Sequence, residues 1–519
     1  MNLTKEERRA FRSLLFKHQD GIAITAIIAI LDRHSIFDFL ATKKTTSVAE
    51  ILQEHPQFHA GYLNIALRSL ASQGILTYTV TDTETHLETT SKFIAFQRHI
   101  THYATFNQLF AYYYELFQQP FQFPLPNPRK LYELASYLTN ARKALSTDAY
   151  FQVEIATHLE GVLLAPLLVY LGYNADLESV EEATFLEDPS IQKLFSLLEL
   201  YDGNSLTKKG SFLFTKSYAY GVTVSYTPIM CHIETYLTGD FLPFFQQDHL
   251  GNEQHVFRGV NVWGSGGSHA TYFNKFDAVL VDIFNKPLAE QPKGIIDVGC
   301  GNGALLEHIF DLIWNQTQRR DDLGANKLIL VGADYNKEAL LSTKRNLEKA
   351  NVWAEVVWGD IGNPAEIDQK LQELYGVKLE ELLNVRSFLD HNRPFNAPHG
   401  DYKGELLSTG AFSHRGKQLH NKDVAQSLVE HFQKWKPYIK NHGLLFIELH
   451  TVAPNVVAEN LGNTPCTAYD VTHGFSDQYI VELDVFLEAI AKAGSTIDPT
   501  HSYRFPSSEI STISINLIR

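Results

Sequence analysis

The stretch that most constrains how this chain folds is Ile295-Ile296-Asp297-Val298-Gly299-Cys300-Gly301-Asn302-Gly303. An apolar strand runs directly into a glycine-rich turn, and the turn into a helix expected over 304–309. Such a loop lets a ligand approach the backbone closely and offers it the free N–H groups of a helix N-terminus. Apolar strand segments alternate with helical ones around it, at 294–298, 328–333, 354–358, 382–389 and 444–449, with a closing pair near 502–505 and 511–517. That alternation predicts an α/β fold with a doubly wound parallel sheet in the C-terminal half.

The region in front has a different texture. Ala23, Ile24, Ile27, Ile28 and Leu31 recur at helical spacing, and Thr46-Ser47 caps a short helix over 48–53. A further helix over 62–72 carries Leu63, Ala66, Leu67 and Leu70 on one face and stops at Gly74. Two alternating segments, 75–80 and 86–90, flank a polar turn at 81–85. Helices followed by a two-stranded wing make a winged-helix pattern. A weaker echo at 191–212 reads either as a second winged helix or as a coincidental helix-turn match. The expected units are a winged-helix-like domain over 1–100, a helical lid or second winged-helix-like region over 101–260, and a catalytic domain over 261–519. The Gly-, His- and Asn-rich stretch 392–421 is expected to be an inserted lid. Asn261 to His269 (NVWGSGGSH) is expected to be a flexible segment that either closes over a ligand or merely links domains.

Composition excludes several classes. With 44 Lys+Arg against 59 Asp+Glu the formal charge is −15, which repels phosphate backbones. The helix over 62–72 holds one arginine, Arg68, and no lysine, too little for a DNA-recognition helix. Three cysteines, Cys231, Cys300 and Cys466, form no CxxC pair, so neither a disulfide framework nor a thiolate zinc site is expected. The N-terminus lacks the apolar core of a signal peptide, and the early apolar run 22–31 is about half a bilayer span, so a cytoplasmic protein without a membrane partner is expected.

Two acids sharpen the reading of the glycine loop. The second strand ends in Asp334, placed to accept ribose hydroxyls, and the third runs into Gly359-Asp360-Ile361. Asp360 is placed for an exocyclic adenine amine and Ile361 for the ring. The loop alone also fits a dinucleotide pattern loosely, but Asp297 would repel a pyrophosphate, whereas it suits an ammonium group. Strand-end acids that only cap helices are the plainer alternative. The set resembles the class I S-adenosylmethionine-dependent methyltransferases. The resemblance implies a Rossmann-like methyltransferase sheet with S-adenosylmethionine as cofactor. It implies Asp297, Gly299, Gly301 and Gly303 at the methionine end, Asp334 with Tyr335 at the ribose, and Asp360 with Ile361 at the adenine.

Groups for the methyl acceptor are sought at the remaining strand tips. The fourth strand ends in the polar run Ser387 to Pro394, where Asp390 and His391 border the expected sulfonium. The fifth ends Glu448-Leu449-His450, with Glu448 and His450 on one side by period-two alternation. Asp390, Glu448 and His450 are therefore the catalytic candidates, His450 as general base. Two histidines and an oxygen-bearing neighbour would also make an open mononuclear iron or manganese site able to stabilise an enolate.

Residues 385–394, 263–273 and 469–478 further resemble the metal-dependent C-methyltransferase domains of bacterial polyketide synthases. That resemblance implies His450, His473 and Gln478 as metal ligands and a malonyl-type or β-dicarbonyl acyl substrate, small or borne on an acyl carrier protein. The alternative is O-methylation of a small hydroxylated metabolite with His450 as base, since winged-helix dimerisation regions commonly precede such catalytic domains. A homodimer is compatible with either.

Overall fold

The computed structural model describes residues 3–174, 184–247 and 253–519; side chains of 267–271 fall outside the description. Helix α1 (Lys5–Arg33) starts at a reciprocal cap in which Glu7 N–H donates to Thr4 Oγ1 at 3.1 Å and Thr4 N–H to Glu7 Oε2 at 2.9 Å. Helices α2 (Ile36–Lys43), α3 (Val48–Glu54) and α4 (Ala60–Ser72) follow, with strands β1 (Thr45–Ser47), β2 (Leu76–Val80) and β3 (Thr85–Thr89). The strands pair antiparallel in the order β1-β3-β2, giving the expected winged helix. Of the expected cap Thr46-Ser47, Ser47 is the N-cap of α3, and both residues also belong to β1.

Between the wing and the catalytic domain the chain is mainly helical, including α5 (Ala156–Asn174) and α6 (Tyr218–Ser225). Helix α1 crosses α5 backbone to backbone: a Cβ on Gly21 would sit 2.3 Å from His158 O, and one on Gly161 2.4 Å from His18 Cα. The segments Lys5–Arg33 and Phe151–Asn174 are long and apolar enough to cross a membrane, contrary to the expectation drawn from 22–31. Their apolar windows are 83% and 94% buried, against each other and their neighbours. In the stretch of the weaker echo, an isolated bridge pairs Tyr201 with Leu206 between helices Pro189–Leu197 and Lys208–Thr215.

Helix α7 (Arg258–Phe284) leads into β4 (Gly294–Val298). Then come α8 (Ala304–Gln316), β5 (Ile329–Asp334), α9 (Lys337–Lys349), β6 (Glu355–Trp358), β7 (Leu382–Ser387), the small hairpin β8 (Ser413–His414) and β9 (Lys417–Gln418), and α10 (Asn421–Ile439). The chain closes with β10 (Leu444–Leu449), α11 (Cys466–Gly474), α12 (Leu483–Lys492), β11 (Ile497–Phe505) and β12 (Ile513–Ile518). The seven-stranded sheet has the order β11-β12-β10-β7-β4-β5-β6. It is parallel from β6 through β10, while β12 runs antiparallel to both of its neighbours. Alternate residues serve opposite faces: Ile296 and Val331 pack toward Leu428 and Phe432, Ile295 and Leu330 toward Leu280 and Ile309. The order reverses between β4 and β7, so the ligand crevice opens above their C-terminal ends.

Two local expectations need correction. The glycine stretch at 261–269 lies inside α7, and of it Gly267, Ser268 and His269 have side chains outside the description. Gly264 is there for packing: a Cβ on it would lie 2.7 Å from Gly221 of α6. The segment 469–478, read as a loop, begins as α11. The insertion 392–421 is anchored at its end, with Asn421 Nδ2 donating to the carbonyls of Ser408 and Gly410 at 2.8 and 2.7 Å.

Candidate active site

Strand β4 delivers Asp297 to the floor of the crevice, 2% exposed, with Oδ1 buried and unpartnered. Burial, with the charge of Asp334 adding to it, pushes its pKa up to about 7. Gly299, Gly301 and Gly303 all adopt positive φ, at 84°, 56° and 83°, which side-chain-bearing residues rarely adopt. Asp334 ends β5 and accepts Gly301 N–H at 3.1 Å and Asn336 N–H at 2.9 Å, so the second strand tip braces the loop of the first. Burial raises its pKa also, against these bonds. Tyr335 is 46% exposed beside it, its hydroxyl donating to Glu253 at 3.2 Å. Asp360 accepts Gly362 N–H at 2.7 Å, and Ile361 is buried. An unpaired buried carboxylate oxygen beside a glycine-rich loop fits the ammonium end of S-adenosylmethionine, and the two further acids fit its ribose and base.

The next two strands meet differently from the sequence expectation. Phe388, in the left-handed region at φ 54°, turns the chain after β7, and its N–H donates to Ile447 O at 2.7 Å. The 3₁₀ turn Asp390–Asn392 then folds onto the end of β10. There Glu448 Oε2 accepts the N–H groups of Asp390 at 2.7 Å and His391 at 3.2 Å. Its Oε1 accepts the His391 ring Nδ1–H at 2.5 Å and Leu449 N–H at 2.6 Å. All three groups are buried. With Nδ1 donating, the lone pair of His391 lies on Nε2, the arrangement of a base oriented by a carboxylate. His473, at the end of α11, stands edge-on to this ring with centroids 5.3 Å apart. Its Nδ1–H donates to Tyr469 O at 2.8 Å, and burial drives its pKa down to about 3, keeping it neutral. Tyr226, at the end of α6, has its ring 5.8 Å from His473 and accepts from Gln478 Nε2 at 3.2 Å. Burial raises the Tyr226 pKa, and Ser476 also bonds to its hydroxyl.

The remaining candidates are placed elsewhere. Asp390 is locked to Arg386 and to His431 Nε2, the latter at 3.0 Å. Burial alone would raise its pKa, but these partners hold it well below the usual carboxylate range. It braces the turn as an ion pair. His450 shares a face with Glu448, but its Nε2 pairs with Ser514 Oγ at 2.8 Å and its ring meets Phe486 edge-on at 5.2 Å. Burial lowers its pKa to about 3. His450, His473 and Gln478 thus each spend a nitrogen on a different partner, and His391 rather than His450 is in ring contact with His473. Among the described residues no group of three or more His, Cys, Asp or Glu side chains is arranged to hold a metal. His391, read at first only as bordering the sulfonium, was signalled by the polar strand tip it shares with Asp390; nothing in the sequence marked Tyr226.

Family profiles agree with this layout. The AprA MT2-like domain matches residues 253–516, the AprA N-terminal domain 11–78, and the AprA winged helix domain 160–240. The chain belongs to the AprA MT2-like methyltransferase family. It is an S-adenosylmethionine-dependent methyltransferase. The AprA winged-helix profile falls on the helices from α5 onward, while the strand-bearing wing of this methyltransferase lies earlier, at β2 and β3. Similar solved structures include the CurJ carbon methyltransferase, at 13% identity over 75% of this chain and 96% of that one, with a TM-score of 0.35. An O-methyltransferase family protein from Burkholderia thailandensis is 10% identical over 73% and 97%, TM-score 0.36. Human N-acetylserotonin methyltransferase, in complex with SAM, is 11% identical over 99% of each, TM-score 0.27. No curated sequence matches the chain.

Proposed function

We propose that this methyltransferase methylates an acidic carbon of a malonyl-type or β-dicarbonyl acyl substrate, free or presented by an acyl carrier protein, with His391 as general base. The observation that carries the reading is the buried His391–Glu448 pair, which stands beside His473 and the separate hydroxyl donor Tyr226. His391 Nε2 takes the proton of the carbon between the two carbonyls, and Glu448 stabilises the imidazolium that forms. The negative charge moves onto a carbonyl oxygen, where the protonated Tyr226 hydroxyl, oriented by Gln478, donates to it. When bound, S-adenosylmethionine supplies a methyl group on a cationic sulfur. The carbon's electron pair bonds to that methyl group as the methyl–sulfur bond breaks and its electron pair stays with the sulfur as a neutral thioether, and His391 returns its proton to solvent. A hydroxyl acceptor needs the base but no second donor, because its charge stays on the reacting atom, so the Tyr226–Gln478 pair favours carbon over oxygen.

The test supplies acetoacetyl and malonyl thioesters of pantetheine with isotopically labelled S-adenosylmethionine and locates the methyl group by NMR. A new carbon–carbon bond at the position between the carbonyls is expected. Label found only on oxygen, or methylation of hydroxylated aromatics alone, overturns the reading in favour of O-methylation.

A further inference from the structure

Helix α4 occupies the place of a recognition helix in its winged helix, and its one arginine is 2% exposed within the protein. Arg68 binds three separate segments of the catalytic domain. Its Nε donates to Thr409 O of the insertion at 2.7 Å, and one terminal nitrogen donates to Asp470 of α11. The other donates to Thr451 Oγ1 at 3.0 Å and Val452 O at 2.9 Å. Asp470 lies three residues before His473 on the same helix, while Thr451 and Val452 lie three and four residues after Glu448. One guanidinium therefore ties the helix that presents His473 to the strand extension that presents Glu448. Nearby contacts follow the same line: Tyr62 of α4 stacks on Phe475 at 5.1 Å and 8°, and Gln73 Nε2 donates to Thr467 Oγ1 at 2.9 Å.

We propose that Arg68 is a positioning residue for methyl transfer, through which the winged-helix domain sets the spacing between the His391–Glu448 pair and His473. The proposal rests on the reading of His391 as the base. The fork geometry of a guanidinium matters here, because a lysine ammonium is a point charge that cannot hold three segments in fixed register. The cofactor crevice at Asp297 and Asp334 receives no bond from Arg68, so cofactor affinity is independent of it.

The experiment compares Arg68→Met with the double variant Arg68→Met/Asp470→Asn in the full chain. Three quantities are measured: melting temperature, affinity for S-adenosylhomocysteine by calorimetry, and kcat with acetoacetyl-pantetheine. The single variant leaves a buried carboxylate unpaired and melts lower; the double variant removes both charges and recovers part of that loss. If Arg68 only stabilised the fold, kcat would recover with the melting temperature. The expected result is kcat at least about tenfold down in both variants, with S-adenosylhomocysteine affinity within about twofold of wild type. Where the single variant does not fold, the double variant alone decides. Recovery of kcat in the double variant, or cofactor affinity falling in parallel with kcat, overturns the proposal. Failure of the base reading itself shows separately, as undiminished turnover in His391→Ala.

Discussion

Replacing Glu448 by glutamine tests the base pair at its most constrained point. Both carboxylate oxygens accept two N–H groups each: Asp390 and His391 backbone on one, His391 Nδ1 and Leu449 on the other. An amide puts an NH₂ where one of those oxygens was, whichever way it is turned. Turned one way, two backbone N–H groups lose their acceptor, at about 1–3 kcal/mol each. Turned the other way, the Leu449 N–H is orphaned and His391 must switch tautomer, accepting at Nδ1 and carrying its proton on Nε2. A base protonated on its reactive nitrogen cannot take the substrate proton. General-base catalysis is worth about 10²–10⁴ in rate, and a catalytic histidine held in the wrong tautomer loses about 10⁴ elsewhere. Glu448→Gln should therefore lower kcat by about 10³-fold, some 4 kcal/mol in the barrier. The assay is transfer of labelled methyl to acetoacetyl-pantetheine, with S-adenosylhomocysteine calorimetry in parallel. Cofactor affinity is expected within about twofold of wild type, because Asp297 and Asp334 are untouched. A kcat within about fivefold of wild type would refute the reasoning, since in either orientation a neutral amide removes the charge that stabilises the imidazolium, and in one it also inverts the tautomer.

Asp297 carries a pKa near 7 before ligand binds, raised by burial and by Asp334. A bound ammonium group favours its charged form, so S-adenosylhomocysteine should bind more tightly as pH rises toward about 7 and level off above. Calorimetry in buffers of different ionisation heat should show proton release at about pH 6 and almost none at about pH 8.5. Asp334→Ala, which removes the brace on Gly301 and the ribose acceptor together, should weaken that affinity by about tenfold or more without changing the oligomeric state. Gly264→Ala forces a Cβ to within 2.7 Å of Gly221, and should cost about 1–3 kcal/mol in denaturant unfolding through the α6–α7 crossing. Exhaustive chelation should leave the methylation rate unchanged, since proton removal by His391 and donation by Tyr226 call on no metal ion.

The cofactor crevice was legible because it is written locally. An apolar strand, three glycines and an acid lie within nine residues, and Asp334 and Asp360 mark the ends of later apolar runs. The base was not. Period-two alternation correctly placed Glu448 and His450 on one face. Which of them meets the neighbouring strand tip depends on the β7–β10 register, Ser387 against Ile447, and on the left-handed turn at Phe388. Neither can be read from either strand alone. Gly264 read as part of a flexible stretch because its reason, close approach to Gly221, lies on another helix. Arg68 looked like a sparse phosphate contact because its carboxylate partner stands 402 residues further on.

The central claim is that His391 removes a proton from carbon before any methyl group moves, and solvent exchange measures that step alone. Protein saturated with S-adenosylhomocysteine, which has no methyl group to give, is mixed with acetoacetyl-pantetheine in deuterated water and followed by NMR. The account predicts enzyme-catalysed deuterium entry between the two carbonyls, lost in His391→Ala. Exchange that continues undiminished in His391→Ala, in protein that still binds S-adenosylhomocysteine, would contradict it.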